Sequence, residues 1–278
     1  MLPFRNKVAI VTGGGSGIGR ALCEAMVEQG ATVVVADLNG KAALELADRL
    51  VASGGKAHGV QVDVSDAEAM NRVVRETTAK YGALHYMFNN AGIGIVGEFR
   101  DSTSEQWRTI MDVNLLGVIY GSLAAYDAMV AQGTGHLINI ASVTGLIPTP
   151  ILTPYSTTKS AIIGFSVSLR PEAASLGVKV SVACPSLVDT SMGDRTICLN
   201  ASKKDYLARL PRWLMLTPSQ AAAAILRGVA KNRAMIVFPF HARLLWRLYR
   251  ICPPLLGPIS TLSVAEWRKL RTSRDTQE

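Results

Sequence analysis

The chain has 278 residues, 49% of them apolar and 18% charged, which allows one large domain or two small ones and excludes disordered, fibrous and low-complexity proteins. Its net charge of +8 is unevenly placed: residues 1–194 carry 14 Lys/Arg against 17 Asp/Glu, whereas 195–278 carry 15 against 4. A basic surface confined to one third fits an anionic membrane, an acidic ligand or a partner subunit as well as nucleic acid.

The first predicted element is a strand at 7–11, ending at a glycine cluster. A helix over 20–29 follows, with Ala21, Leu22, Ala25 and Met26 on one face and Gly30 as its stop. Residues 32–36 read as a second strand, 41–51 as a helix and 59–64 as a third strand, after which Ser65 and Glu68 form a capping box. Strands at 84–88 and 137–141 enclose a long helical stretch over 104–131. A helix from Tyr155, a strand at 178–183, a helix opened by Thr217, Pro218 and Gln220, and a strand at 235–238 complete the series. Seven strands separated by single helices imply right-handed crossovers and a parallel sheet covered on both faces, an α/β doubly wound domain over 1–240.

Two stretches break the alternation. Residues 189–216 show no clear strand, and Met192, Trp213, Leu214 and Met215 suggest a substrate loop. Residues 241–251 place Arg243, Arg247 and Arg250 on one helical face and Leu244, Leu245, Leu248 and Ile251 around the other, before Pro253 and Pro254. This basic amphipathic helix, opening an extension over 241–278, either packs on protein and closes a pocket, which we prefer, or lies on an anionic membrane. The last residues, from Thr272, read as a tail.

Cys23, Cys184, Cys198 and Cys252 form no CxxC pair and are too sparse for a disulfide framework, so a reducing, cytoplasmic setting is expected. No uninterrupted apolar run nears the ~18 residues of a membrane span, the first strand is too short for a signal peptide, and no metal site is expected. A zinc pattern and an aromatic RNA-binding motif are lacking in the basic third, which argues against a nucleic-acid role.

The turn after the first strand reads Thr12-Gly13-Gly14-Gly15-Ser16-Gly17-Ile18-Gly19. Glycines there let backbone approach a pyrophosphate, which the helix N-terminus favours, so the domain is Rossmann-type. Asp37 ends the second strand 18 residues past Gly19, where a carboxylate accepts from ribose hydroxyls and repels a 2′-phosphate; NAD is preferred over NADP. Asp63, with Val64 beside it, is placed to meet the adenine. Tyr155 and Lys159 are four residues apart, hence on one helix face, and an ammonium together with nicotinamide's positive charge favours phenolate over phenol.

Asn89-Asn90-Ala91-Gly92 follows the fourth strand, and Ser142 precedes Tyr155 by 13 residues. With TGxxxGxG as Thr12, Gly13, Gly17 and Gly19, and YxxxK as Tyr155 and Lys159, the chain resembles the short-chain dehydrogenase/reductase family from residue 7 to 238. Ser16, where an extended epimerase-like branch has glycine, marks the compact branch. The resemblance implies catalytic roles for Asn114 (anchoring a water), Ser142 (on the reacting oxygen), Tyr155 (acid/base) and Lys159 (holding the nicotinamide ribose). It places Asn90, Ala91, Gly92, Pro185, Val188 and Thr190 along the cofactor. It also implies a homodimer or homotetramer built on the helices bearing Asn114 and Tyr155. Ser186 stands where glycine is common, His85 where aspartate is, and Pro171 predicts a kink or an early end near Arg170.

Beside these motifs lie Ile93, Ile95, Val96, Val143, Ile147, Pro148, Ile151, Leu152, Leu187 and Met192. Their apolar character predicts a lipophilic alcohol or ketone, of steroid, terpenoid or long-chain type, oxidised or reduced by hydride transfer. The alternative is an NAD-binding sensor or scaffold without turnover.

Overall fold

The computed structural model describes residues 3–147 and 149–271. From the N-terminus, β1 (Val8–Thr12), α1 (Gly17–Glu28), β2 (Thr32–Asp37), α2 (Gly40–Ala52), β3 (Lys56–Gln61), α3 (Ala67–Tyr81) and β4 (Tyr86–Asn89) alternate. After a short β5 (Ile95–Val96), α4 (Ser104–Met111) and α5 (Gly117–Ala131) flank a π-helical turn at Asp112–Leu116. Then come β6 (Gly135–Ile140), α6 (Thr153–Ala174) and β7 (Val178–Pro185). Three short elements, α7 (Met192–Arg195), β8 (Ile197–Cys198) and α8 (Lys203–Ala208), precede α9 (Pro218–Ala230), β9 (Met235–Phe238), α10 (Phe240–Ile251) and α11 (Gly257–Arg268).

The seven long strands form one parallel sheet in the order β3-β2-β1-β4-β6-β7-β9. Every residue of β1 is buried, because helices cover both faces, so the strand reads as a continuous apolar run. One face packs Leu22, Met26, Val35 and Leu46 against Ile225; the other packs Ile10, Val34, Met70 and Val73 against Leu137 and Val180. From β1 the chain goes to β2 on one side and later places β4 on the other. That reversal opens a crevice at the carboxyl ends of β1 and β4.

Local corrections follow from side-chain partners. The cap of α3 is Asp66, whose carboxylate accepts from Ala69 N at 3.0 Å, because the Ser65 hydroxyl is engaged by Asp63 at 2.7 Å. The cap expected at α9 is present, Thr217 and Gln220 bonding reciprocally. Helix α6 runs through Pro171 to Ala174 rather than ending near Arg170. The proline sits in the last turn, where its missing N–H costs one bond, and the Arg170 guanidinium ties the turn to the Val180 and Asn232 carbonyls. Residues 104–131 are helical throughout and, taken together, long and apolar enough to cross a membrane by length and composition. Nearly half of their most apolar stretch is buried in this fold, against α3, β4 and β6.

The 189–216 stretch is not strandless, since β8 pairs in parallel with β5, Ile95 opposite Ile197. Helix α10 forms where expected, but Ala242, Trp246, Tyr249 and Arg243, whose guanidinium donates to Val237 O, turn inward, while Leu244, Leu245, Leu248 and Ile251 are exposed. Helix α11 had no signal in the sequence reading. Its Trp267 is buried edge-on against Tyr206 of α8, ring centroids 5.8 Å apart, and Arg268 and Arg271 both close on Glu98. Pro148 and the expected tail from Thr272 lie outside the described residues.

Candidate active site

The glycine turn is held from beneath by one threonine. Thr12 Oγ1 donates to Phe88 O at 3.3 Å and accepts from Asn90 N at 3.0 Å and Ala91 N at 3.1 Å, locking the end of β1 to the end of β4. Asn90 Nδ2 returns the contact by donating to Thr12 O at 2.9 Å. Gly13 has φ of +62°, and a Cβ there would sit 2.9 Å from Ala91 Cα, so only glycine fits. Ser16 begins α1 with extended backbone and no side-chain bond to the helix, and the first turn holds no acid. The N–H groups of that turn are thereby left open to an external anion. Ile18 packs on the core, and Thr190 closes over the turn, 3.1 Å from where a Gly17 Cβ would lie.

Asp37 is buried at the end of β2. One carboxylate oxygen accepts from Gly15 N and the other from Asn39 N, both at 2.9 Å, so backbone donors fix the acid beside the turn. Asp63 is exposed and spends one oxygen on Ser65; the neighbouring Val64 is buried against Gly117.

Across the crevice, Asn114 occupies the π-helical turn and is fully buried. Its amide accepts from Ile93 N at 2.8 Å and donates to Ile93 O at 3.0 Å, clamping the chain just after Gly92. A Cβ on Gly92 would lie 3.1 Å from Asn114 Oδ1 and 3.6 Å from Lys159 Nζ, so these three meet at one point. Lys159 is 2% exposed, and its ammonium donates to Ile140 O at 3.0 Å while standing 5.5 Å from the centroid of the Tyr155 ring. Ser142 follows β6 and accepts from Thr144 N at 3.2 Å, and its hydroxyl acts to lower the Tyr155 phenol.

The electrostatics correct one expectation. Burial pushes the Tyr155 phenol up to about 12, the Ser142 hydroxyl opposes that rise and nearby Tyr206 adds to it. Burial also lowers Lys159 to about 8. Lysine proximity alone therefore does not make the phenol acidic, because desolvation of both groups outweighs their attraction.

Pro185 ends β7 opposite Phe238, and Ser186 continues that pairing through its N–H to Phe238 O at 3.0 Å without left-handed backbone, so the serine is accommodated. Val188 bridges Leu216, and Leu187 O accepts from Leu216 N. His85 accepts from Val8 N at 3.1 Å, a structural tie between β1 and β4. Of the apolar set, Ile93 packs beside Tyr155 with Ile95, Ile110 and Leu199. Ile95 and Val96 are fully buried in β5 and belong to the core. Val143, Ile147, Leu152 and Met192 lie on segments flanking Ser142, Tyr155 and Thr190. Ile151 adopts φ of +61°, a strained conformation for a β-branched residue, held by its carbonyl accepting from Gly97 N at 2.7 Å. Tyr206 of α8, missed in the sequence, acts on Tyr155, and Trp267 of α11 packs on Tyr206; no local pattern marks them.

The family model for short chain dehydrogenases matches residues 7–197. Probable oxidoreductase EphD of Mycobacterium tuberculosis (strain ATCC 25618 / H37Rv) is 33% identical over 270 residues, 94% of this chain and 46% of that protein. The chain thus spans about half the length of that relative. Cyclohexanol dehydrogenase of Acinetobacter sp. (strain SE19) is 37% identical over 190 residues, 68% of this chain and 76% of that one. The crystal structure of a short chain dehydrogenase/reductase from Burkholderia phymatum in complex with NAD matches with a TM-score of 0.85 at 28% identity, covering 92% of this chain and 96% of that one.

Proposed function

The chain belongs to the short-chain dehydrogenase/reductase family, and from that premise we propose that it interconverts a lipophilic secondary alcohol and its ketone with NAD, Tyr155 being the acid/base. The observation that carries this reading is the convergence of Tyr155, buried Lys159 5.5 Å from its ring, the Asn114 clamp and the Ser142 turn at the carboxyl edge of the sheet. The nicotinamide, when bound, supplies or accepts the hydride. Tyr155, kept protonated by its burial, is poised to donate to a carbonyl oxygen that Ser142 would also hold. In the oxidative direction it must act as a base, and a phenol near 12 is a poor one at neutral pH. Positive charge at the crevice, from Lys159 and the oxidised nicotinamide, would bring it down.

Asp37 supports NAD over NADP, since a buried carboxylate at the ribose end disfavours a second phosphate. The cofactor would run from Gly13, Gly17 and Gly19 past Asn90, Ala91 and Gly92 to Lys159, with Asp63 and Val64 at the adenine and Pro185, Val188 and Thr190 at the carboxamide. The apolar neighbours of Tyr155 support a lipophilic substrate, and the cyclohexanol of one relative's name is the first compound to try. Exposed Leu123 on α5 and Val167 on α6 support a dimer through those helices.

The test is turnover of cyclohexanol, longer alcohols and sterols with NAD and NADP, with Tyr155→Phe as control. NAD-dependent oxidation of apolar alcohols is expected. Turnover of sugars alone would remove the substrate class, and NAD binding with no turnover of any alcohol or ketone would favour the sensor reading.

A further inference from the structure

Residues 206–265 contain eight Lys/Arg and no Asp or Glu, so this segment holds the entire net charge, the other residues balancing 21 against 21. Part of that charge converges on a groove of about 430 Å³ between α9, β9 and the start of α10, lined by Arg227, Lys231, Arg233 and Arg243. The groove opens beside Phe240, which is 74% exposed. At about 100° per residue, Phe240, Ile251, Leu244 and Leu248 fall within an arc of about 80° on α10, with Leu245 about 60° further round. All five are exposed, Ile251 at 83%. Arg247 borders this arc about 20° from Phe240, and Arg250 lies about 80° beyond the same edge, its guanidinium 5.7 Å from the Trp246 ring, which turns inward. Among the described residues, none of these arginines nor Lys231 takes part in an ion pair.

Such a surface asks two things of whatever covers it: apolar contact for a row of aliphatic side chains and negative charge for the cations beside them. A second copy related by a two-fold axis would bring arginines against arginines. A nucleic acid offers phosphates but no bed for leucines. An anionic phospholipid bilayer supplies both at the depth where an amphipathic helix lies. We infer that α10 docks on an anionic phospholipid surface, its Phe240, Leu244, Leu248 and Ile251 face entering the boundary of headgroups and acyl chains while Arg247, Arg250 and the adjoining cationic groove meet the lipid phosphates. The test of this face requires no turnover.

The experiment is co-sedimentation of the full chain with phosphatidylcholine vesicles, with or without phosphatidylserine, near physiological ionic strength. Wild type is expected to sediment with the serine-containing vesicles only. Each arginine removed should weaken binding about fivefold, so Arg247→Ala/Arg250→Ala loses roughly 25-fold. Leu244→Ser/Leu248→Ser should lose binding at unchanged charge. Both pairs are solvent-facing, and an unchanged thermal midpoint shows that the fold survives. The inference falls if wild type ignores both vesicle types, if it binds them equally, or if the leucine variant binds as tightly as wild type. A drop in oligomeric state of the leucine variant in sedimentation velocity would assign the face to a subunit contact. Retention of wild type on duplex DNA unaffected by the leucine change would assign it to nucleic acid. Either result overturns the lipid reading.

Discussion

Helices α6 and α10 invert the usual rule in opposite senses. Helix α6 buries a lysine to 2% exposure, whereas α10 turns four aliphatic side chains and a phenylalanine to solvent. Each inversion carries a free-energy cost, and each sits where we propose a binding site. In α6 the cost is met locally: Lys159 donates to Ile140 O, and the helix is packed between β6, β7 and the Ser142 turn. In α10 nothing in the described structure meets it. A closed crevice and an open face thus differ in where the compensating partner lies, inside the chain or outside it.

The sharpest way to break the account of the closed side is Tyr155→Phe. It should lower turnover by at least ~10³-fold in single-turnover measurements while NAD affinity by titration calorimetry stays within about twofold, because the hydroxyl moves a proton and ring packing is kept. A loss of affinity equal to the loss of rate would make the tyrosine a binding residue instead.

Burial of Lys159 should appear in stability. Its folded value near 8 lies below the unfolded 10.5, so between those pH values the unfolded state binds more protons and stability rises with pH. Tyr155 works the other way: its folded value near 12 lies above the unfolded 10, and stability falls across that window. Urea unfolding of the cofactor-free protein should therefore strengthen from pH 8 toward 10 and weaken above it. The rise is on the order of 2–3 kcal/mol and disappears in Lys159→Met. A flat profile in wild type would mean that the ammonium is solvated.

Asp37→Ala should weaken NAD binding by roughly 10- to 100-fold and narrow the preference over NADP, since the lost groups are charged hydrogen-bond acceptors. Comparative titration with both cofactors reads it.

The smallest effect concerns the cover supplied by α11. Arg268 and Arg100 hold Glu98 down to about 2, with Arg271 adding to the cluster and also reaching Asp101. Glu98→Gln should cost roughly 1 kcal/mol in global stability and speed tryptic cleavage near Arg268, because a salt-bridged latch opens without unfolding the sheet. An unchanged cleavage rate would place the hold of α11 in Trp267 instead.

The seven-stranded sheet was legible because it is written in short-range patterns. Continuous apolar runs such as 7–11 and 235–238, with glycine and cap residues between them, need no knowledge of the rest of the chain. The glycine turn, Asp37 and the Tyr155–Lys159 pair were legible for the same reason, each set by spacing along one turn, strand end or helix. What escaped depends on distant partners. Asp66 rather than Ser65 caps α3 because Asp63 takes the serine hydroxyl, and β8 exists only because β5 lies beside it. The apolar pattern of α10 specifies a face and not its direction, as amphipathicity is a local property while burial requires a second surface. Likewise the Tyr155–Lys159 spacing is set by the helix, but their protonation is set by how much water the assembled crevice excludes, and that is a property only the folded chain possesses.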